Sequence, residues 1–417
     1  MPCLAAKTRR ERVFRYVLLG LLALCVAGSG ARLPRALAPD VPGRLEETGG
    51  LRTLYLRGSP YEMGLQQGCL LREPLRALAV DYLHGHWIIE RGVPHLDLLS
   101  IARRLDRQMP EAWRREVQGI ADGASLSYAD VLLLNAALDL PSLLPGTTRP
   151  PWSGAPSSSF AAWGRGTSGG ELLVGHSLAC DDAELLRRCW MVVVRRPLNG
   201  RATVSLGLMG TLGAWAGMSE DRLVACYSPS PCVDVAVSGQ PASFLLRQVL
   251  EGAGDLSEAI NLVLSSPRLS GGNWILGDGK APDALVIELS AHRHALYETD
   301  AAGGVLARTD HWLDPDLALI QQGVLSDAGR EASAARLARL QTLLQFNSGW
   351  IGTQKALAFL EDVQAASGDG AASTPRFVHS VLFCPSRLTV WLANADVQTV
   401  RNPYVSLDLS TVLLARR

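Results

Sequence analysis

The chain has 417 residues, 47% of them apolar and only 19% charged. So apolar a chain can offset its ordering entropy by burial, which excludes an intrinsically disordered protein. Forty Lys and Arg balance forty Asp and Glu, so no whole-chain field recruits nucleic acid or an anionic membrane.

The first residues carry Arg9, Arg10, Arg12 and Arg15, then an apolar run from Val17 to Gly28, then small residues through Ala31. This order is that of a signal peptide, and the run is shorter than the roughly 20 residues of a spanning helix. Residues 1–31 are therefore expected to be a signal peptide or anchor, with 32–49 a linker, and the protein to be exported or membrane-tethered. A lipoprotein site at Cys25 is disfavoured by Leu24, where a small residue is normal. Six further cysteines remain: Cys69, Cys180, Cys189, Cys226, Cys232 and Cys384. In an exported chain they allow disulfides, of which Cys226–Cys232 is the local candidate; buried free thiols are the equal alternative. No cysteine spacing and no His84/His86 or His292/His294 pair builds a metal set, and neither metal nor organic cofactor is expected.

In chain order, Ser59-Pro60-Tyr61-Glu62 joins a Ser cap, a first-turn Pro and a Glu that closes a capping box. The helical spacing is disturbed at Pro74 and resumes from Ala77 to Ile89, with further helices expected at Leu96–Arg107, Ala112–Ile120 and, behind Ser127 and Asp130, Val131–Leu138. Between Pro141 and Pro156 five prolines mark an exposed loop. Strands are expected at Ser159–Trp163, Leu172–Val174, Trp190–Arg195, Ala202–Leu208 and Leu223–Cys226, and again at Trp274–Leu276, Ala284–Leu289, Val378–Phe383 and Leu388–Leu392, the last two joined by a turn at 384–387. Helical periods fall at Ala242–Leu250, Leu256–Leu264 and Ala332–Leu344. The sum is a layered α+β body.

Two serine-centred constellations compete for the chemistry. Gly175-His176-Ser177-Leu178-Ala179 has the form of a nucleophile elbow; a triad would add Asp310 with His311 or His379. Its plain alternative is a strand-end turn. The second is Ser157-Ser158-Ser159-Phe160-Ala161-Ala162-Trp163-Gly164 behind the proline-rich loop, which residue type alone reads as loop.

Gly58-Ser59-Pro60-Tyr61-Glu62-Met63-Gly64-Leu65-Gln66-Gln67-Gly68, Gly119-Ile120-Ala121-Asp122-Gly123-Ala124 and Ser159–Gly164 together resemble the penicillin acyltransferase-like family of autoproteolytic N-terminal-nucleophile hydrolases, related to bile-salt and acid-amide hydrolases. The likeness continues through Gly210–Met218, Gly271-Gly272-Asn273, Thr309-Asp310-His311-Trp312, Ser333–Arg336 and His379-Ser380-Val381, in the same order over about residues 50–410. It implies a four-layer αββα sandwich over 157–417 with a helical pro-segment or small chain at 50–156. It also implies self-cleavage before Ser157, whose freed α-amine, titrating near 7.7–8.0 in the ordinary case, would serve as base for its own hydroxyl.

The resemblance assigns Ser157, Asn273, Arg336 and Ser333 to catalysis and Trp163, His176, Ser219 and His311 to binding. Departures from its pattern are serine where the family has a cysteine nucleophile, His176-Ser177-Leu178-Ala179 in place of Arg-Asn-Leu-Asp, and Ser219 in place of Asn. The carboxylate expected at 179 is thus missing, with Asp181 or Asp182 as substitutes. Each site residue also has a plain reading: Asn273 in a turn, Arg336 solvated on its helix, His311 packed against Trp312. The implied activity is hydrolysis of an N-acyl amide or transfer of its acyl group to an amine, with acyl-CoA a possible donor. The alternatives are a binding protein that has lost the chemistry and a serine hydrolase using Ser177.

Overall fold

A computed structural model describes residues 43–136, 139, 143, 157–179, 186–236, 238–299, 304–366, 377–394 and 404–414. The expected signal segment, the proline-rich loop through Pro156, and Asp181 and Asp182 lie outside these residues. Strands β1 (Arg44–Thr48) and β2 (Leu51–Gly58) form an antiparallel hairpin where a linker and the start of a helical region were expected. β2 runs parallel to β5 (Trp190–Pro197), so sequence on both sides of Ser157 builds the same sheet. From Pro42 onward the chain forms one compact unit.

Helix α1 (Pro60–Leu70) starts as its residues dictate: Ser59 Oγ accepts from the Glu62 N–H and the Glu62 carboxylate accepts from the Ser59 N–H at 2.7 Å. Pro74 falls in the first turn of a new helix, α2 (Arg72–Leu78), where its missing N–H costs nothing. A π-helical stretch, Ala79–Glu90, continues from it. α3 (His95–Gln108), α4 (Glu111–Ala124) and α5 (Tyr128–Asn135) follow. The paired glycines of the motifs read above have a mechanical cause. A Cβ on Gly64 would lie 2.0 Å from the Glu116 carbonyl oxygen, and one on Gly119 2.3 Å from that of Tyr61. α1 and α4 thus cross backbone to backbone, and only glycine fits the crossing.

Two sheets form the centre. Nine strands run in the order β1-β2-β5-β6-β7-β8-β9-β10-β11 and six in the order β12-β3-β4-β13-β14-β15. In the larger sheet these include β6 (Thr203–Leu208), β7 (Ala216–Ser219), β8 (Leu223–Pro229), β9 (Gly272–Asp278), β10 (Asp283–Leu289) and β11 (His294–Glu298). The smaller contains β3 (Ser158–Gly164), β4 (Gly170–Ala179), β12 (Val305–Arg308), β13 (Phe377–Cys384), β14 (Thr389–Asn394) and β15 (Val405–Asp408). The strands β7, β11, β12 and β15 were not expected; each is short, with little apolar run to announce it.

Period-two alternation sorts the layers. Ala161, Trp163 and Val174 of the small sheet meet Val192, Val194, Val224 and Ile275 of the large one in a shared apolar cluster. Phe160, Ala162 and Leu173 point the other way, onto α9 (Asp327–Phe346) through Leu337 and Leu340 and onto α10 (Thr353–Ala366) through Phe359 and Leu360. On the outer face of the large sheet, Ala225 and Leu276 meet Leu245, Leu246 and Val249 of α6 (Ala242–Gly252) and Val263 of α7 (Leu256–Ser265). The layers are α, β, β, α, an α+β sandwich. Because β3 is covered on both faces, it reads as an unbroken apolar run rather than an alternating one.

Cys226 and Cys232 are free thiols, as are Cys69 and Cys384. Cys226 fills the space between the sheets and Cys232 packs with Trp312 and Leu317, so of the two readings for this pair the buried free thiols hold and the disulfide does not. No described helix is long and apolar enough to cross a membrane.

Candidate functional site

Ser157 immediately precedes β3 and is 1% exposed. Its N–H donates to Asp310 Oδ1 at 2.8 Å and its Oγ–H to the same oxygen at 2.5 Å. Asp310 stands two residues beyond β12, the antiparallel neighbour of β3 in which Arg308 faces Ser159, so the ladder itself carries it to the head of β3. Its other oxygen, Oδ2, accepts from the Arg336 guanidinium of α9. Ser333 lies one turn before Arg336 on the same face of that helix, and its Oγ accepts from the Asp310 N–H at 3.1 Å. Burial pushes the Asp310 carboxyl above the usual Asp range, with Arg336 and the Ser157 donors pulling against it.

The segment holding Asp310 is clamped on every side. Asn273 of β9 donates through Nδ2 to the carbonyls of Thr309 at 2.6 Å and His311 at 3.2 Å and to Ser230 Oγ at 3.1 Å. Its amide hydrogens are thereby committed to Ser230 and the 309–311 backbone, while its buried Oδ1 has no partner among the described residues. Gln321 Nε2, from α8 (Pro315–Gln321), donates to the Asp310 carbonyl at 3.1 Å. Glu288 of β10 accepts from Arg308 at 2.7 Å and from the backbone N–H groups of Leu313 and Asp314. His311 shares a 2.7 Å hydrogen bond between Nδ1 and Ser333 Oγ; burial and the nearby Arg336 hold its pKa below that of free histidine.

Ser157, Ser333, Arg336, Asn273 and His311 therefore converge as expected by position. His176 is adjacent: it pairs with Ser159 across β3 and β4 and hydrogen-bonds the Tyr227 carbonyl and His379. Two expected site residues do not converge. Trp163 follows Ser157 by six strand positions, about 20 Å along β3 at the usual rise, and packs in the inter-sheet core. Ser219 pairs with Thr203 near the start of β6, whereas Asn273 pairs with Ser228 near the far end of β8. The nucleophile-elbow reading of Ser177 fails on geometry. β4 runs unbroken through Gly170–Ala179, Ser177 pairs with both Ser158 and Ser380 inside the sheet, and no strand-to-helix turn occurs there.

Asp310, a triad candidate for Ser177 on sequence alone, stands instead against Ser157. Its signal was present in Thr309-Asp310-His311-Trp312, but the strand that brings it to Ser157 is only four residues long. Glu288 and Gln321 gave no signal at all: a carboxylate at a strand end and an amide in a short helix are ordinary.

A family model described as acyl-coenzyme A:6-aminopenicillanic acid acyl-transferase matches residues 184–396, just over half of the chain. The chain belongs to this family. An uncharacterized protein from Archaeoglobus fulgidus is 32% identical over 311 residues, 69% of this chain and 52% of its own length. The N-acylethanolamine-hydrolyzing acid amidase of Oryctolagus cuniculus is 25% identical over 225 residues, 51% of this chain and 58% of its own. The chain thus spans about half the length of these curated relatives. Among solved structures, the Caenorhabditis elegans ortholog of N-acylethanolamine-hydrolyzing acid amidase superposes with a TM-score of 0.41 at 17% identity, covering 60% of this chain and 99% of that one. The family match itself begins after Ser157, so it does not cover that residue, which is placed by the geometry of β3, β12 and α9.

Proposed function

We propose that the protein is an N-terminal-nucleophile amide hydrolase or acyltransferase that cuts itself before Ser157 and carries the acyl group on Ser157 Oγ. The observation that carries this reading is the convergence of the Ser157 N–H and Oγ–H on one oxygen of Asp310, whose other oxygen is held by Arg336. A residue whose backbone nitrogen and side-chain oxygen share one buried carboxylate is arranged for both groups to react.

In the intact chain the Ser157 nitrogen is an amide and cannot act as base. Asp310 is then the group placed to take the hydroxyl proton as Oγ attacks the carbonyl carbon of residue 156. The C–N bond breaks, the nitrogen gains a proton and becomes an amine, and water hydrolyses the resulting ester. In the cut enzyme Asp310 holds the α-amine in register with Oγ. The amine takes the Oγ proton as the acyl carbonyl is attacked, passes it to the departing amine, and an acyl-Ser157 ester remains. Water completes hydrolysis; an amine in its place completes transfer. The burial of Ser157 fits this order, because a substrate reaches it only once the chain before it is cut.

The substrate class is a small N-acyl amide, with acyl-CoA as a donor in the transfer direction. The basic and then apolar opening of the sequence supports export or a membrane tether. Intact mass spectrometry of wild type and of Ser157→Ala and Ser177→Ala variants tests the assignment. Two fragments meeting at Ser157 are expected for wild type and Ser177→Ala, and an uncut, inactive chain for Ser157→Ala. An uncut wild type that still cleaves acyl amides and loses that activity with Ser177→Ala refutes the reading; an uncut, inactive wild type favours a binding protein.

A further inference from the structure

At the same end of the inter-sheet space, beyond Ser157, lies a pair of fully buried histidines that the mechanism above does not use. The β3–β4 register begins at Ser158–Ser177, one step past Ser157, and the β4–β13 register pairs Leu178, one step past Ser177, with His379. Ser157 and His379 are therefore two strand spacings apart, about 10 Å. His379 points toward the large sheet, since its ring lies 5.0 Å from that of Trp190, the first residue of β5. His176 Nε2 is 3.1 Å from the Tyr227 carbonyl oxygen, and His176 Nδ1 is 3.0 Å from His379 Nε2.

These contacts fix both tautomers. A carbonyl oxygen only accepts, so the His176 proton is on Nε2 and Nδ1 is its acceptor. His379 must then donate through Nε2, which leaves its Nδ1 as a bare lone pair. Burial holds both rings well below the usual histidine pKa, His176 at about 4, so both are neutral. Among the described residues that lone pair has no hydrogen-bond partner although His379 is 2% exposed, and the neighbouring Trp190 Nε1–H, also buried, has none either. Buried polar groups are rarely left unpaired. Here an orphan acceptor and an orphan donor sit on adjoining rings, within one ligand's length of the nucleophile.

We propose that His379 Nδ1 and Trp190 Nε1 form a two-point subsite for a carboxamide on the nitrogen side of the substrate, with the carboxamide N–H donating to His379 and its C=O accepting from Trp190. The proposal rests on Ser157 as nucleophile, because only then does the subsite face the leaving or accepting amine. A carboxamide presents one donor and one acceptor side by side. A carboxylate would meet the Nδ1 lone pair with like charge density, an ammonium would leave the Trp190 donor unmet, and neither ion finds a counter-charge from these two rings. The substrates this subsite fits are N-acyl derivatives of amino-acid amides and peptides. His176 is a positioning residue: it sets which nitrogen of His379 carries the proton.

The test uses the self-cleaved protein with Ser157 intact, labelled with nitrogen-15 in histidine and tryptophan, and each N-decanoyl ligand of the titration below carries CH2 in place of the scissile N–H so that it binds without turning over. Signals are assigned by loss in His379→Gln and Trp190→Phe; the glutamine keeps an N–H toward His176 and has no acceptor where Nδ1 stands. Free protein should show His379 protonated on Nε2 alone. Titration with N-decanoyl-glycinamide should move the His379 Nδ1 and Trp190 indole signals together, while N-decanoyl-glycine and N-decanoyl-propylamine should leave them in place. In the self-cleaved enzyme, His379→Gln should lower kcat/KM for the glycinamide about tenfold more than for the propylamide, the usual effect of one lost hydrogen bond. An Nδ1-protonated His379, equal responses to all three compounds, or no response to the glycinamide overturns the subsite. A cut wild type inert toward every amide, with the selective shifts intact, refutes the acyl-enzyme reading and leaves the subsite standing.

Discussion

Replacing Asp310 by asparagine separates the roles given to it, because the shape stays and the charge goes. In the native protein Asp310 accepts from the Ser157 N–H and Oγ–H and from Arg336, all of them buried. Removing one partner of a buried ion pair costs about 3–5 kcal/mol, since the other charge is left uncompensated. Asparagine keeps an acceptor oxygen for Arg336 and removes a charge that burial disfavours, so the expected loss falls below that range, about 1–2 kcal/mol, read as a lower midpoint in urea. Positioned proton acceptors contribute about 100-fold or more, and self-cleavage followed by intact mass over time should slow by at least that factor. The pH dependence has a definite sign. Burial raises the folded Asp310 pKa, so the acid limb of the cleavage rate should lie above the ordinary Asp range and the rate should fall as pH falls through it. The folded pKa also exceeds the unfolded one, so Asp310 contributes stability that is full below the unfolded value and is lost as pH rises through the folded value. Asp310→Asn should lack both dependences. A variant that cuts itself at the wild-type rate, with an unmoved pH profile, would refute the assignment of Asp310 as proton acceptor.

Four further outcomes follow from the packing. Gly64→Ala places a Cβ 2.0 Å from the Glu116 carbonyl oxygen, and should destabilise by about 3 kcal/mol or more in urea unfolding, as backbone cannot yield like a side chain. Glu116→Gln leaves Arg247, held bidentately at 2.8 and 3.0 Å, and Arg195, both buried, without their shared carboxylate; a loss of about 3–5 kcal/mol is expected by the same assay. Non-reducing peptide maps should show no Cys226–Cys232 linkage, and thiol titration should label both only after unfolding. Trp163→Phe, far along β3 from Ser157, should lower stability while leaving the rate of self-cleavage within about twofold, because it alters packing only; a large change in that rate would place Trp163 back at the site.

The helices and long strands were legible because each carries a local physical signature. The Ser59–Glu62 capping box, the β-branched run of β5 and the unbroken apolar run of β3 depend only on neighbours in sequence. What was not legible depends on partners far away. β2 is an ordinary mixed segment until β5 lies beside it, and β12 is too short to announce a strand that carries Asp310. Ser219 was placed at the site by counting from Gly217-Met218, but β7 is only four residues long, and Ser219 occupies its end toward the start of β6. Trp163 was included because it belongs to the motif around the nucleophile; the strand geometry turns that closeness in sequence into distance.

The absent carboxylate at position 179 also has a topological explanation. β3 lies between β12 and β4, so the head of β3, where the Ser157 nitrogen sits, is flanked by the ends of both neighbours. A carboxylate at the end of β4 and one just past β12 approach the same nitrogen from opposite sides. Position 179 is alanine in an apolar cluster with Leu178 and Val378, and an ion there would sit without a partner. On the other side, α9 supplies Arg336, and Asn273, Gln321 and Ser333 hold the backbone around Asp310. The charge therefore stands where Arg336 and the Ser157 donors offset part of its desolvation. The substitution at 179 is compatible with an intact site because the strand order supplies a second route for a carboxylate to Ser157.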